Sequence, residues 1–276
     1  MANSHASTVA DVESGKAEGQ IAPARKGLFA YMQEVVDSKK CNLISIYACF
    51  LTGYTSSVSF SACFIWCGFQ TGNVAQLGIA IARNFDPLST RTYHFMKPDQ
   101  QAFVSLLSFL AGTSLGRIGD KIGPKRRTWL VLATFMQCLM TMAGALCAHF
   151  GGESQFAGER ANPSWTNPIS MTCLGFISAT IGLQGIMGKR IASPMNTTVV
   201  LTTTWVELFN DPQLLGLKPV PSRDIRMAGV FMLFLGGFVA RAILAQIGAD
   251  GALGVLCGFR FLQLVWWAFI PSATPA

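Results

Sequence analysis

GFQTGNVAQLG, running from Gly68 to Gly78, is the stretch on which the fold turns. Strongly apolar sequence precedes it, and weakly apolar sequence follows as far as Arg83. Its first part sets Gln70, Thr71, Gly72 and Asn73 side by side. Lipid offers these groups no hydrogen-bond partner, so sinking them into a bilayer carries a kcal/mol-scale penalty unless the protein supplies partners. Either the segment lies outside a membrane or the polar turn has a use.

Composition answers the first alternative. Of 276 residues, 51% are hydrophobic and 13% charged, with 27 glycines. A soluble domain carries about 25% charged residues, so a soluble enzyme would lack the charge to cover its surface. The net charge of +7 comes from basic residues that flank apolar runs, which points to lipid and topology rather than nucleic acid. The eight cysteines lie almost entirely in apolar segments and read as small buried hydrophobes. Cys63 and Cys67 are one helical turn apart, but no histidine lies near them, so no metal site is expected.

Apolar segments cover 43–66, 101–118, 128–149, 168–188, 226–247 and 252–270. Each is near the length that crosses about 30 Å of hydrocarbon as a helix. Two weaker segments, 69–83 and 191–209, are rich in Thr or Asn and broken by Gly or Pro. The order span, weak segment, polar loop, span, span occurs in 43–149 and again in 168–270. FLAG (109–112) is echoed by FLGG (234–237). Paired short broken helices at corresponding stations are the mark of transporter-like internal repeats. The expected class is therefore all-α: a polytopic helical membrane protein with six full spans, two short broken or re-entrant helices and two inverted repeats. Residues 1–40 read as a disordered basic cytosolic tail ending in a short interfacial helix, 41–271 as the transmembrane domain, and 272–276 as a tail. The first 38 residues lack the apolar run of a signal peptide.

Counting Lys and Arg tests whether the weak segments cross. With both re-entrant, fourteen lie on the side of the N-terminus and four on the other; with both crossing, the split falls to twelve against six. The positive-inside bias favours six spans, although eight also close sensibly.

GRIGDKIGPKRR (116–127) resembles the short basic loop of major facilitator transporters, and equally any basic cytosolic hairpin. GTSLG (112–116) fits the hydrolase elbow by letters only: it lies in a helix-length apolar run, and the chain has three histidines, none placed to serve it. Gly112 and Gly116 suit close helix packing instead, and Gly254 and Gly258 repeat the spacing. NTT (196–198) is a glycosylation sequon that its position leaves unused. Glu207 and Arg260 are the most lipid-deep ions, which makes a Glu207–Arg260 pair a candidate. Asn73 and Asn196 are candidate helix caps, with Gly72 and Pro194 breaking the helices before them.

QTGNVAQLG (70–78) together with NTTVVLTTTWVELFNDPQL (196–214) and RKGLFAY (25–31) resembles the DUF1275 family, also called YoaK-like, in its fungal form. The resemblance spans about 25 to 270. It implies a multi-span membrane protein and supplies no substrate. The family pattern implies an Asp in the first span where this chain has Ser56.

The expected function is a small-solute transporter or permease. Thr71, Gly72, Asn73 and Gln76 would face Asn196, Thr197, Thr198 and Thr202 across a polar midplane cavity. A non-transporting scaffold or lipid-interacting protein is the alternative. No acid–base–nucleophile set points to an enzyme, and no cofactor or metal is implied. The lipid bilayer is the expected partner, homo-oligomerisation is left open, and no feature specifies which membrane.

Overall fold

A computed structural model describes residues 27–193, 197–216 and 218–273. The expected tail over 1–26, and the break at Pro194 with Asn196 behind it, lie outside the described residues. The helices are α1 Leu28–Met32, α2 Asn42–Cys63, α3 Gln70–Ala82, α4 Lys97–Ser114, α5 Gly116–Ile122, α6 Arg127–Gly151, α7 Pro168–Ile191, α8 Thr202–Phe209 and α9 Pro221–Phe269.

Among the described residues, five helical stretches are long and apolar enough to span a bilayer, α4 and α5 counting together as Lys97–Ile122. The last of them, 49 residues long, is two arms: Gly248 has φ 77° and ψ 179°, a conformation that favours glycine and breaks the helix. The arms run in opposite directions along α2. In the first arm (221–247), Gly236 and Gly237 lie beside Phe50, Gly53 and Ser57, and Arg241 stacks on Phe156 in the loop beyond the far end of α2. In the second arm (249–269), Tyr54 donates to Ala252 O at 2.9 Å and Tyr47 to Phe259 O at 2.9 Å. Splitting α9 at Gly248 turns five apolar helices into six crossings.

The two faces are chemically distinct. On one, Val36 N donates to Lys125 O, Arg127 N to Glu34 O and Asp37 N to Pro271 O. Arg190 forms a bidentate pair with Asp120 at 2.9 Å on the same face. This is the basic face, read as cytosolic by the positive-inside rule. The expected interfacial helix is docked here as α1: Tyr31 donates to Ala268 O at 2.6 Å, and the Arg127 guanidinium lies 3.7 Å over its ring. On the opposite face the loop 152–167 folds over the bundle, with Ala157 N bonded to Ser61 O and Ser164 N to Ala62 O.

α2 and α7 are buried nearly all round and form the centre. α2 packs along both arms of α9, α4 along α7, and α6 between α7 and α9. Two crossings are built by glycine in the same way. A Cβ on Gly53 would strike Leu233 O, and one on Gly236 would strike Phe50 O; a Cβ on Gly182 would strike Phe109 O, and one on Gly112 would strike Ala179 O. Backbone therefore touches backbone where α2 crosses α9 and where α4 crosses α7, the close approach that small residues permit in membranes. These contacts equate Gly112 with Gly236, one residue away from the match that the letters FLAG and FLGG give. Gly116 packs as expected, against Ile186. Gly254 and Gly258 do not: they face outward with nothing within 4 Å of a Cβ, because the second arm turns Leu253, Leu256, Arg260 and Trp267 inward.

Both weak segments are re-entrant. α2 ends at Phe64 in the left-handed conformation (φ 56°), and the chain turns back beside α2, where Ser59 Oγ donates to Ile65 O at 2.8 Å. α3 then returns to the face it came from, with Arg83 paired to Asp99 at the start of α4. α7 ends in the same manner at Ala192 (φ 57°). Thr198 reaches the middle of α2, where its carbonyl accepts from Thr52 Oγ1 at 2.8 Å. α8 leads back to the basic face, where Glu207 meets Arg226 at 3.1 Å. Among the described residues of the expected 191–209 segment, 202–209 form α8 and Ile191 is the last residue of α7.

Candidate functional site

The two re-entrant segments meet. A Cβ on Gly68 would lie 3.3 Å from Val199 and 3.3 Å from Ile181. Cys67, Ile181 and Val199 close this contact as a dry apolar cluster. Glycine at 68 lets the first segment come within touching distance of the second. The segments meet in the interior, and among the described residues the contact between them is apolar; Asn196, expected to line a polar cavity there, lies outside the described residues.

The residues expected to face one another are in fact dispersed. Thr71 and Gly72 lie on the exposed side of α3, and Thr202 is exposed at the start of α8. Asn73 is buried and points at α4, not at the second segment. Its Nδ2 donates to Gln70 Oε1 at 2.8 Å and lies 3.3 Å from Ser105 Oγ, which is 3.0 Å from Ser178 Oγ. Gln70 Nε2 donates to Cys67 O at 2.7 Å. This chain of amides and hydroxyls satisfies the polar groups of GFQTGN with protein partners, which lowers the burial penalty. Asn73 is not a cap: Phe69 holds the N-cap position of α3 without a side-chain bond. Gln76 accepts from Arg160 Nη2 at 2.9 Å, tying α3 to the surface loop. Thr197 Oγ1 accepts from Val199 N at 3.3 Å and braces a turn. Asn196 falls outside the described residues.

Thr198 is the expected site residue that does reach the centre. It is 2% exposed, and its Oγ1 lies 3.3 Å from Gln184 Nε2. That amide also donates to Thr52 Oγ1 at 2.8 Å and to Ala48 O at 2.9 Å. The other end of Gln184 leads to Arg260. Arg260 Nη1 donates to Gln184 Oε1 at 3.1 Å and to Gln137 Oε1 at 2.6 Å.

Arg260 is fully buried. It does not pair with Glu207, which sits at the basic face with Arg226, its side chain 45% exposed. The reason is geometric: α8 is short and carries Glu207 out to the membrane edge, whereas Arg260 lies halfway along the second arm of α9. Among the described residues no carboxylate pairs with Arg260, and its Nε and Nη2 have no hydrogen-bond partner. A charge at the bilayer centre costs about 2.5–3.5 kcal/mol on insertion scales. Two charge-assisted bonds to amide oxygens offset part of that cost, each contributing about 1.5–3 kcal/mol, but they add no negative charge.

Beside this network lies a cavity of about 20 Å³, lined by Ser45, Gln137, Gln184, Thr198, Gln263 and Trp267 among others. That volume admits one water-sized body. Gln263 Oε1 and Trp267 Nε1 are buried without partners. Arg260, Gln263 and Trp267 fall at successive turns of the second arm, so one helix face presents these unpartnered polar groups together. Gln137 and Gln184 were not singled out from the sequence. The available signal was a lone amide inside each apolar run, in FMQCLM (135–140) and GLQGIM (182–187).

No curated protein and no solved structure matches the chain. The stretch matched by a family model, residues 44–266, begins in the first turn of α2 and ends near the close of α9, so it takes in every crossing and both re-entrant segments. Its description is "Protein of unknown function (DUF1275)", and the chain belongs to that family.

Proposed function

We infer that the protein moves a small solute across its membrane, through the point where the two re-entrant segments meet. The observation that carries the reading is the cluster of Arg260, Gln137, Gln184, Thr52 and Thr198, buried beside that meeting point with polar groups left unpaired. A bundle that served only to hold its shape would gain by filling these positions with apolar side chains, because half-satisfied buried polar groups cost free energy. Transport gives them a use: they would bond to cargo.

The same reading takes the two halves, 43–149 and 168–270, as inverted repeats. In its support, α2 and α7 both end in a left-handed residue followed by a re-entrant segment, and both cross a partner helix through glycine. A path at the interface of such halves is the usual arrangement of secondary transporters. The reading assigns no catalytic residue, cofactor or metal.

Comparing metabolite uptake by cells with and without the protein tests it. Thr198→Val and Gln184→Leu should abolish the solute uptake that the intact protein confers, with membrane insertion retained. Uptake unchanged in both variants would overturn the site.

One observation favours a second reading, lipid engagement without transport. An outward-opening apolar groove of about 1150 Å³ runs between α8, the first arm of α9 and the loop at Trp66 and Phe69, with Arg241 among its lining residues. On that reading Gln184→Leu would be neutral or stabilising and no solute would move.

A further inference from the structure

We propose that the small cavity beside the Arg260 network binds a monovalent anion of halide size, and that this anion is the cargo or travels with it. The second clause rests on the transport reading above; the first does not.

The inference follows from charge. A guanidinium keeps its proton at neutral pH. Arg260 is 0% exposed and so gains nothing from solvent. Its two protein partners, Gln137 and Gln184, are neutral, and among the described residues no acid reaches it. The site therefore holds one uncompensated positive charge at membrane depth. Buried charges in folded proteins are paired, and here the protein supplies no pair.

The donors also suit an anion. Among the described residues Arg260 Nε and Nη2 have no acceptor, and neither has the buried Trp267 Nε1. Trp267 and both glutamines line the cavity of about 20 Å³, a size that excludes large polyanions. A cation there would be repelled by the guanidinium that Gln137 and Gln184 hold beside the cavity. A neutral solute would leave the charge unanswered.

Thermal unfolding of the purified protein in detergent tests this. Ionic strength is held constant while sodium gluconate, too large for the cavity, is replaced stepwise by sodium chloride or sodium fluoride. The Tm should rise saturably, by about 5 °C or more once the anion is in a hundredfold excess over its Kd. Which salt acts at the lower concentration says which halide fits the cavity better.

Gln137→Glu places a carboxylate where an amide oxygen now lies 2.6 Å from Arg260. This variant should have a higher Tm than the intact protein in gluconate and should lose the anion-dependent rise. Arg260→Lys should keep a rise with a changed half-saturation. Equal Tm in gluconate and in both small anions would overturn the proposal, as would a rise that persists undiminished in Gln137→Glu. Because the readout is binding, its failure is separable from that of transport. An anion-dependent rise in a protein that moves no solute would leave the site and remove the transport reading. Uptake of a neutral solute with no such rise would do the reverse.

Discussion

Replacing Gly112 by alanine is a direct test of the helix pairing that holds the site together. The added Cβ would lie closer than 3.0 Å to three atoms of Ala179, all of them backbone. Backbone cannot rotate aside, so α4 and α7 must part at their crossing by about 1 Å, a gap that forfeits a quarter to a half of the dispersion attraction there. Overpacking of this kind costs about 1–3 kcal/mol, and the rigidity of both partners puts Gly112→Ala near the upper end. Helix propensity acts in the opposite sense, since alanine is about 0.8–1.0 kcal/mol better than glycine inside a helix.

Gly254→Ala isolates that second effect, because nothing lies within 4 Å of its Cβ position. Two identical chemical changes should therefore differ by about 3 kcal/mol, or roughly 6–12 °C in Tm for a chain of this size. Unfolding of both variants in one detergent, followed by near-UV circular dichroism, reads the difference. Gly53→Ala and Gly236→Ala should behave like Gly112→Ala, because each would drive a Cβ into backbone in the same way. A Gly112→Ala variant as stable as Gly254→Ala would refute the backbone-to-backbone crossing, and with it the placement of α7 that brings Gln184 to Arg260.

Two further outcomes follow from the surfaces. A single cysteine at the exposed Ser89, in a background stripped of the native cysteines, should react with an impermeant thiol reagent from outside the cell; labelling only after permeabilisation would contradict six crossings with the basic face inward. On the same face as Ser89, partial burial pushes the Glu153 carboxyl up, but hydrogen bonds from the Thr166 backbone, the Asn167 backbone and the Thr166 hydroxyl outweigh it and hold it below the usual carboxylate range. A depressed carboxylate stabilises the fold above its unfolded value, about 4.3, and that contribution is lost as the pH falls through the folded value. The Tm advantage of the intact protein over Glu153→Gln should thus be constant from neutral pH down to about 5 and shrink below about 4; an advantage that grows on acidification would show that the loop is not held by the ionised form.

The spans were legible because hydropathy over helix-length windows is set by lipid itself. The hairpin between 247 and 252 was legible for a related reason: Gly248 and Asp250 interrupt an apolar run too long for one crossing. The re-entrant character of the weak segments came through the distribution of Lys and Arg, which depends on sequence alone. What failed were statements about partners. Asn73 was read as a cap because its neighbours in sequence were the only ones visible, whereas its bond to Ser105 exists only once α3 lies on α4. Gly254 and Gly258 have the spacing of a packing motif, but spacing does not say which side of a helix turns inward; Arg260, Gln263 and Trp267 decide that for the second arm. Arg260 was correctly marked as costly. Its partner was sought among acids, since opposite charge is the obvious compensation, while the protein uses Gln137 and Gln184, whose neutrality gives no such signal.

The distribution of close contacts also limits what can move. α2 is joined to the first arm of α9, and α4 to α7, by backbone in direct contact. Tyr47 and Tyr54 tie the second arm of α9 to α2 by buried hydrogen bonds to carbonyls. Parting α2 from the second arm would leave two tyrosine hydroxyl donors without their acceptors, and parting either glycine crossing would forfeit its close packing. The broken segments are held differently. α3 leans mainly on α4 through Gln70, Asn73 and Arg83, and α8 turns only Thr204 and Leu208 inward. Between them lies an apolar contact of Gly68 with Val199 and Ile181, which carries no hydrogen bond among the three side chains. Losing such a contact costs only the dispersion and burial of one valine-sized group, about 1–3 kcal/mol. On the transport reading proposed above, a solute passing this point would displace the re-entrant segments rather than the spans, and Thr198, which bonds Thr52 and Gln184, is where that displacement would be felt at Arg260.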